Sequence, residues 1–166
     1  MKYNMQTLPN TILKVYLAGF IEPSVIDQCK SWRKEIRGHY ENWKGIGSYG
    51  IAFIDPTVGE VFDNSSDFVL PSTAIVSKDL LSIQRSDLLL ANLDNFGCKR
   101  EPYGTIMEIA MAWQLQKPII TITNNPVYIS HPFIKTMSSI IVSTTKELLD
   151  NKILNIYFKS INGANY

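Results

Sequence analysis

Cysteine and histidine are nearly missing from this chain: Cys29, Cys98, His39 and His131 are all that its 166 residues contain. Two cysteines cannot build a disulfide framework, and these four side chains match no zinc-type ligand spacing. No metal and no cofactor is therefore expected. Excess charge is missing as well, since 16 Lys and Arg stand against 15 Asp and Glu for a net charge of +1. Such a balance makes no field to gather nucleic acid or a membrane surface, and a small, nearly neutral ligand fits better. Long apolar runs are also lacking. No stretch reaches the roughly 18 residues of a membrane-spanning helix, and the N-terminal MKYNMQTLPN has no signal-peptide core. The expectation is a cytoplasmic protein.

What is present suffices for one core. Apolar residues make up 45% of the chain and charged residues 19%, as in ordinary globular proteins, and the length suits a single domain over residues 1–166. Short apolar runs at 14–20, 51–54, 87–93, 119–123 and, more weakly, 140–142 read as strands. Helical spacing runs from Pro23-Ser24 to about Arg37, and over 78–85 from a start at Ser72 or Ser77. It recurs from Gly104 to Gln116, ended by Lys117-Pro118, and over 144–150 with Thr144 or Thr145 as cap. Residues 57–71, rich in Gly, Asp, Asn, Ser and Pro, read as a long binding loop.

Strands alternating with helices imply an α/β fold. The reading is a five-stranded parallel sheet, doubly wound in the flavodoxin-like manner, with helices on both faces. Ligands of such sheets bind beyond the carboxyl ends of the strands, where the strand order reverses. That rule selects residues 19–24, 55–71, 92–108 and 124–131. Gly19, Phe20, Asp55, Asp94, Gly104, Thr105 and His131 are the candidates for substrate contact within them.

Glu108 carries the most chemical interest. It lies in the early turns of a helix that is apolar nearly all round, GTIMEIAMAW over 104–113, where a carboxylate needs a reason. One reason is local: Thr105-x-x-Glu108 fits a capping box, with Glu108 turned back to the backbone. The other is catalytic. A carboxylate held ionised near a helix N-terminus, facing the ligand crevice, is what a glycoside-cleaving nucleophile should be.

The ordered set of motifs resembles the nucleoside 2-deoxyribosyltransferases. It comprises Val15-Tyr16-Leu17-Ala18-Gly19, then Lys78-Asp79-Leu80-Leu81-x-Ile83-x-x-Ser86-Asp87, then Gly104-Thr105-x-x-Glu108-Ile109-x-x-Ala112 with Lys117-Pro118. The resemblance runs from about residue 13 to 123, and the ending Gly163-Ala164-Asn165-Tyr166 is similar too. It implies an enzyme that exchanges the base of a deoxynucleoside for a free nucleobase through a covalent deoxyribosyl ester of Glu108. Asp79 matches the position that contacts the base and handles its proton, and Tyr16 the one that holds the glutamate. The resemblance further implies a homo-oligomer with shared sites, the carboxylate of Tyr166 entering a neighbour's site. Read without it, Tyr16 is an ordinary core tyrosine, Asp79 a solvent-facing helix aspartate and residues 160–166 a polar tail. Asp87 reads as a turn acceptor ahead of its strand.

One position departs from the pattern. Six residues before Glu108, where family members often carry Asp to touch the sugar 5′ end, this chain has Pro102. Asp94 or Glu101 is the expected substitute. Nearby Lys99-Arg100 supports a rival reading, a 2-deoxynucleoside 5′-monophosphate N-glycosidase that grips the phosphate. A non-catalytic nucleotide-binding module is the second rival, since fold alone does not separate binding from catalysis. A thiol enzyme based on Cys98 lacks any sequence feature pairing it with His131.

Overall fold

The computed structural model describes residues 12–41, 50–58 and 71–161. Five strands, β1 (Ile12–Gly19), β2 (Gly50–Ile54), β3 (Leu88–Asn92), β4 (Ile119–Ile122) and β5 (Ile140–Val142), form one all-parallel sheet in the order β2-β1-β3-β4-β5. This is the doubly wound order expected. The two central runs LLLAN and IITI are buried at every position, as strands covered on both faces must be.

Each face has its own core. Leu13, Val15 and Leu17 of β1 pack with Trp32 and Ile36 of α1 (Ile26–Glu41) and with Leu148 and Leu154. The last two belong to α6 (Thr145–Asp150) and α7 (Ile153–Ile161). On the other face Tyr16 and Ala18 join Ile83 of α2 (Ser72–Arg85), Ile109 and Ala112 of α3 (Tyr103–Gln114), and Ile134 of α5 (Pro132–Met137). The period-2 alternation along β1 thus sends Tyr16 to the α2–α3 side and its neighbours to the α1 side.

Several boundaries differ from the sequence reading. A 3-10 turn over Pro23–Val25 precedes α1, which runs on to Glu41. α2 begins at Ser72, the earlier of the two expected starts, behind Pro71. Two short helices fill the segment between β4 and β5, to which the sequence reading gave no element: α4 (Pro126–Ser130) and α5, each opened by a proline at its first position. α7 was not foreseen; its Leu154 is fully buried against the α1-side core. Thr144 caps α6 by accepting from the Glu147 amide at 3.0 Å. Asp87, expected as a turn acceptor ahead of β3, instead reaches across to β1, where its Oδ2 accepts from the Lys14 amide at 2.8 Å. Lys117 donates to the carbonyls of Gln84 and Ser86, satisfying the C-terminal end of α2. Most of the long loop between β2 and α2 lies outside the described residues, as does Tyr166. Among the described residues no helix is long and apolar enough to cross a membrane.

β1 ends at a close approach. A Cβ on Gly19 would come within 2.7 Å of Trp32 Cζ2 and 3.0 Å of Arg33 Nη2, the first buried in the core and the second held by its carbonyl hydrogen bonds. Gly19→Ala is expected to lower stability by about 1–3 kcal/mol, as overpacking does, measurable as a reduced urea midpoint at unchanged m-value.

Candidate active site

Strand order reverses between β1 and β3, whose ends pair Gly19 with Asn92. Beyond the carboxyl end of β1 lies a cavity of ≈ 420 Å³. Gly19 and Phe20 form its floor, α2 supplies Ile75, Val76 and Asp79, and α3 supplies Gly104, Thr105, Met107, Glu108 and Met111. Arg100 and Pro102 of the loop between β3 and α3 complete the wall. Three segments far apart in sequence therefore converge on one space, because α2 and α3 pack side by side over β1.

Glu108 is the centre of the polar network. The hydroxyl of Tyr16, fully buried on β1, donates to Glu108 Oε1 at 2.7 Å. No capping box forms. α3 starts behind Pro102 without a side-chain cap, so Thr105 already lies inside the helix, and Glu108 turns to the sheet rather than to the Thr105 amide. The ionised state expected from the helix dipole is also overruled. Glu108 lies one turn beyond the free amides, where the dipole has little hold, and its pKa is pushed up to about 7 from an ordinary 4.5. Burial is the main cause; the Tyr16 hydrogen bond opposes it, Asp79 adds to it, and Arg33 and Lys78 oppose it.

Asp79 sits across the cavity, one-fifth exposed, with the Lys78 ammonium 3.8 Å from its Oδ1. That oxygen is itself enclosed and accepts no hydrogen bond from the described residues. Burial raises the Asp79 pKa, while Lys78 and Tyr16 oppose the rise. Tyr16 is pushed far above the ordinary tyrosine range by burial first, then by the charges of Glu108 and Asp79. It stays a neutral donor, and its single proton serves Glu108. The arrangement offers a fixed carboxylate with one oxygen held and a second carboxyl that retains its proton more readily than usual. Apolar walls with room for a planar ring surround them.

The other residues expected at the site are dispersed. Asp55, at the end of β2, turns away from the cavity and binds the Thr57 amide at 2.9 Å and hydroxyl at 2.7 Å, with Arg37 at 3.1 Å and Arg33 at 3.7 Å. Two guanidiniums on α1 capture it before any ligand could. Asp94 and Glu101 line a separate polar cavity of ≈ 370 Å³ beyond β3, β4 and β5, where Glu101 accepts from the Tyr128 hydroxyl. Asp94 accepts from the Phe96 amide at 2.7 Å inside its own turn. His131 borders an apolar groove between α3 and α5. Of the loop cations, Arg100 lines the Glu108 cavity and Lys99 does not. Ile75, Val76, Met107 and Met111 were missed because an apolar residue on a helix looks the same whether it faces a core or a cavity.

A family model described as nucleoside 2-deoxyribosyltransferase matches residues 15–151. No curated protein matches the sequence. Among solved structures, a conserved protein from Enterococcus faecalis V583 is similar with a TM-score of 0.60 at 17% identity, over 84% of this chain and 96% of its own. The 2-deoxyribosyltransferase from Bacillus psychrosaccharolyticus has a TM-score of 0.58 at 17% identity, over 82% of this chain and 90% of its own. A CMP N-glycosidase from Clostridium botulinum has a TM-score of 0.50 at 19% identity, over 85% and 98%. At these identities the structural likeness is one of fold. The family model spans most of the chain, and with it the protein belongs to the nucleoside 2-deoxyribosyltransferase family.

Proposed function

We propose that this protein exchanges the nucleobase of 2-deoxynucleosides, with Glu108 as nucleophile, Tyr16 as the group that orients it and Asp79 as the proton carrier for the base. The observation that carries the reading is the 2.7 Å Tyr16–Glu108 hydrogen bond beside a cavity that also holds Asp79, whose Oδ1 accepts no hydrogen bond from the described residues. An oxygen of Glu108 attacks C1′ as the C1′–N bond breaks, and the departing base takes the proton of Asp79. A deoxyribosyl ester of Glu108 remains. A second base attacks C1′ from the opposite side, the ester C–O bond breaks, and the incoming base returns a proton to Asp79. Two inversions retain configuration, as in retaining glycosidases. Phe20, Ile75, Val76, Met107 and Met111 give a base an apolar surface to pack on and limit the water that would intercept the ester. The affinity for a base that exchange requires follows from those walls.

The presence of Arg100 in the cavity wall favours one rival, hydrolysis of a deoxynucleoside 5′-monophosphate. Its guanidinium is already engaged: it donates to Glu22 Oε2 and to the Ile21 carbonyl, both at 2.9 Å, and lies 4.5 Å over the Phe20 ring. A phosphate would have to displace Glu22. Incubation with deoxyinosine plus adenine is therefore expected to yield deoxyadenosine and hypoxanthine, and mass spectrometry to find a deoxyribosyl adduct on the peptide holding Glu108. Glu108→Ala should lose several orders of magnitude in exchange rate while remaining folded. Faster release of free deoxyribose 5-phosphate from monophosphates than base exchange would establish the hydrolase instead.

The raised pKa of Glu108 makes a second test. The folded protein holds this proton more tightly than the unfolded chain does. Stability from that source is present at low pH and is lost as pH rises from about 4.5 to about 7. Glu108→Gln is expected to be more stable than wild type at pH 8, on the order of 2–3 kcal/mol, and little changed at pH 4. Thermal denaturation at the two pH values checks this. In wild type, kcat/KM should carry a pH limb near 7 that belongs to Glu108.

We also infer a homo-oligomer. The outer face of α3 and the start of α5 leave Tyr103, Met107, Trp113 and Phe133 between 53% and 68% exposed around an apolar groove of ≈ 820 Å³. Met107 borders both this groove and the Glu108 cavity. A second copy seated there would cover the apolar surface and narrow the cavity. Trp113→Glu with Phe133→Glu is expected to shift light scattering from oligomer to monomer with the far-ultraviolet circular dichroism retained, and to lower exchange activity.

A further inference from the structure

β2 stops one step too early to cover β1. Its last residue, Ile54, pairs with Tyr16, so Leu17 and Gly19 have no strand beside them on that edge. The Lys14 carbonyl accepts from the Asp87 amide on the β3 side. By alternation, the carbonyls of Leu17 and Gly19 point toward the vacated β2 side. Buried carbonyls without partners are costly. Arg33 of α1, with no exposed surface at all, supplies the missing donors. Its Nε donates to the Leu17 carbonyl at 3.2 Å and its Nη2 to the Gly19 carbonyl at 2.9 Å, while Nη1 ties back to the Cys29 carbonyl of its own helix. One guanidinium thus takes the place of two residues of β2. It does so at the stretch of β1 between Tyr16 and the cavity floor.

We propose that Arg33 is a positioning residue of the active site, holding the carboxyl end of β1 in place and presenting a buried positive charge beneath Glu108. The inference rests on the reading of Glu108 as the reacting carboxylate. An ordinary structural arginine would be neutralised. Here Asp55 is the only carboxylate among the described residues paired with Arg33, and it is shared with Arg37, so two guanidiniums stand against one anion. Among the described residues the cluster keeps a surplus positive charge, carried closest to β1 by Arg33. The charged and titratable groups around Glu108 are Tyr16 of β1, Asp79 and Lys78 of α2, and Arg33 of α1. Arg33 in turn is within electrostatic reach of Asp55, Cys29, Glu108 and Tyr16. A positive charge on this side favours the ionised carboxylate that the reaction requires. Burying Arg33 is costly by itself, and its three carbonyl bonds with Asp55 make the burial tolerable.

The test uses two substitutions of opposite sign. Arg33→Gln keeps a donor at the β1 end and removes the charge. Asp55→Asn keeps the shape of the Thr57 turn and removes the anion that partly neutralises Arg33. Glu108 ionisation is read directly, from the pH dependence of its side-chain carboxyl signal in protein labelled with 13C-glutamate, assigned by its disappearance in Glu108→Gln. Arg33→Gln is expected to move the Glu108 midpoint upward and Asp55→Asn to move it downward, each on the order of half a pH unit. The acid limb of kcat/KM should follow, about threefold in rate at fixed acid pH for a shift of that size. Arg33→Lys, which keeps the charge but cannot bridge both carbonyls, should hold the midpoint and lower kcat. Midpoints that stay in place, or that move the same way in both charge variants, would overturn the proposal. If Arg33→Gln fails to fold, the downward shift in Asp55→Asn decides alone. The titration does not depend on turnover. A wild type that neither exchanges nor hydrolyses nucleosides would therefore sink the proposed reaction without touching this result.

Discussion

A carboxylate pressed between a helix and the end of a parallel sheet has to be stabilised from within, and the Tyr16 hydroxyl does this for Glu108. The bond spans 92 positions of sequence and joins β1 to α3. It exists only because Tyr16 points to the α2–α3 face while its neighbours on β1 point to the α1 face. A register slip of one residue would turn the tyrosine to the wrong side and leave Glu108 buried without a donor. The interaction therefore links the correctness of the sheet to the presence of the site.

The site also shows how a doubly wound sheet makes polar chemistry possible at the edge of an apolar core. The strands contribute little beyond apolar side chains, since β3 and β4 are buried throughout. Their carboxyl ends stop at different heights, and the gaps are filled from the helices. At β1 the gap on one edge is closed by Arg33 and the one above the strand by Glu108 and Asp79. The result is a row of alternating charge running from Asp55 through Arg33 to Glu108. Burial, which raises the carboxyl pKa values, is offset in part by hydrogen bonds and cations set at fixed positions. A group balanced in this way responds to small changes around it, which suits the nucleophile proposed for this site.

Much of the fold could be read from the chain because its strands are short apolar runs separated by helical spacing, and that alternation admits few arrangements. Among the elements that went unread, α4 and α5 are too short for periodicity to register, whereas α7 carries an amphipathic pattern in its sequence ahead of the polar tail. The site was legible where motif and topology agreed, at Tyr16, Asp79, Gly104, Thr105 and Glu108. It was not legible at Asp55 and Asp94, whose position at a strand end was read correctly but whose direction was not. Asp55 ends an edge strand flanked by α1, and the nearest cations take it. Asp94 follows a central strand and closes a turn on itself.

The sequence by itself determined the class of fold, the order of its elements and the family, because these depend on patterns that run along the chain. It also placed a carboxylate at residue 108 in a helix too apolar to carry one idly. Tertiary structure alone decided what that carboxylate meets. The Tyr16 donor, the raised pKa, the enclosure of Asp79 Oδ1 and the apolar walls all arise from contacts between segments remote in sequence. Arg33 is the clearest instance. Its spacing from Cys29 and Ile36 puts it on the inner face of α1, and only the early end of β2 gives a cation a use there, since two carbonyls of β1 would otherwise be buried with nothing to bind them.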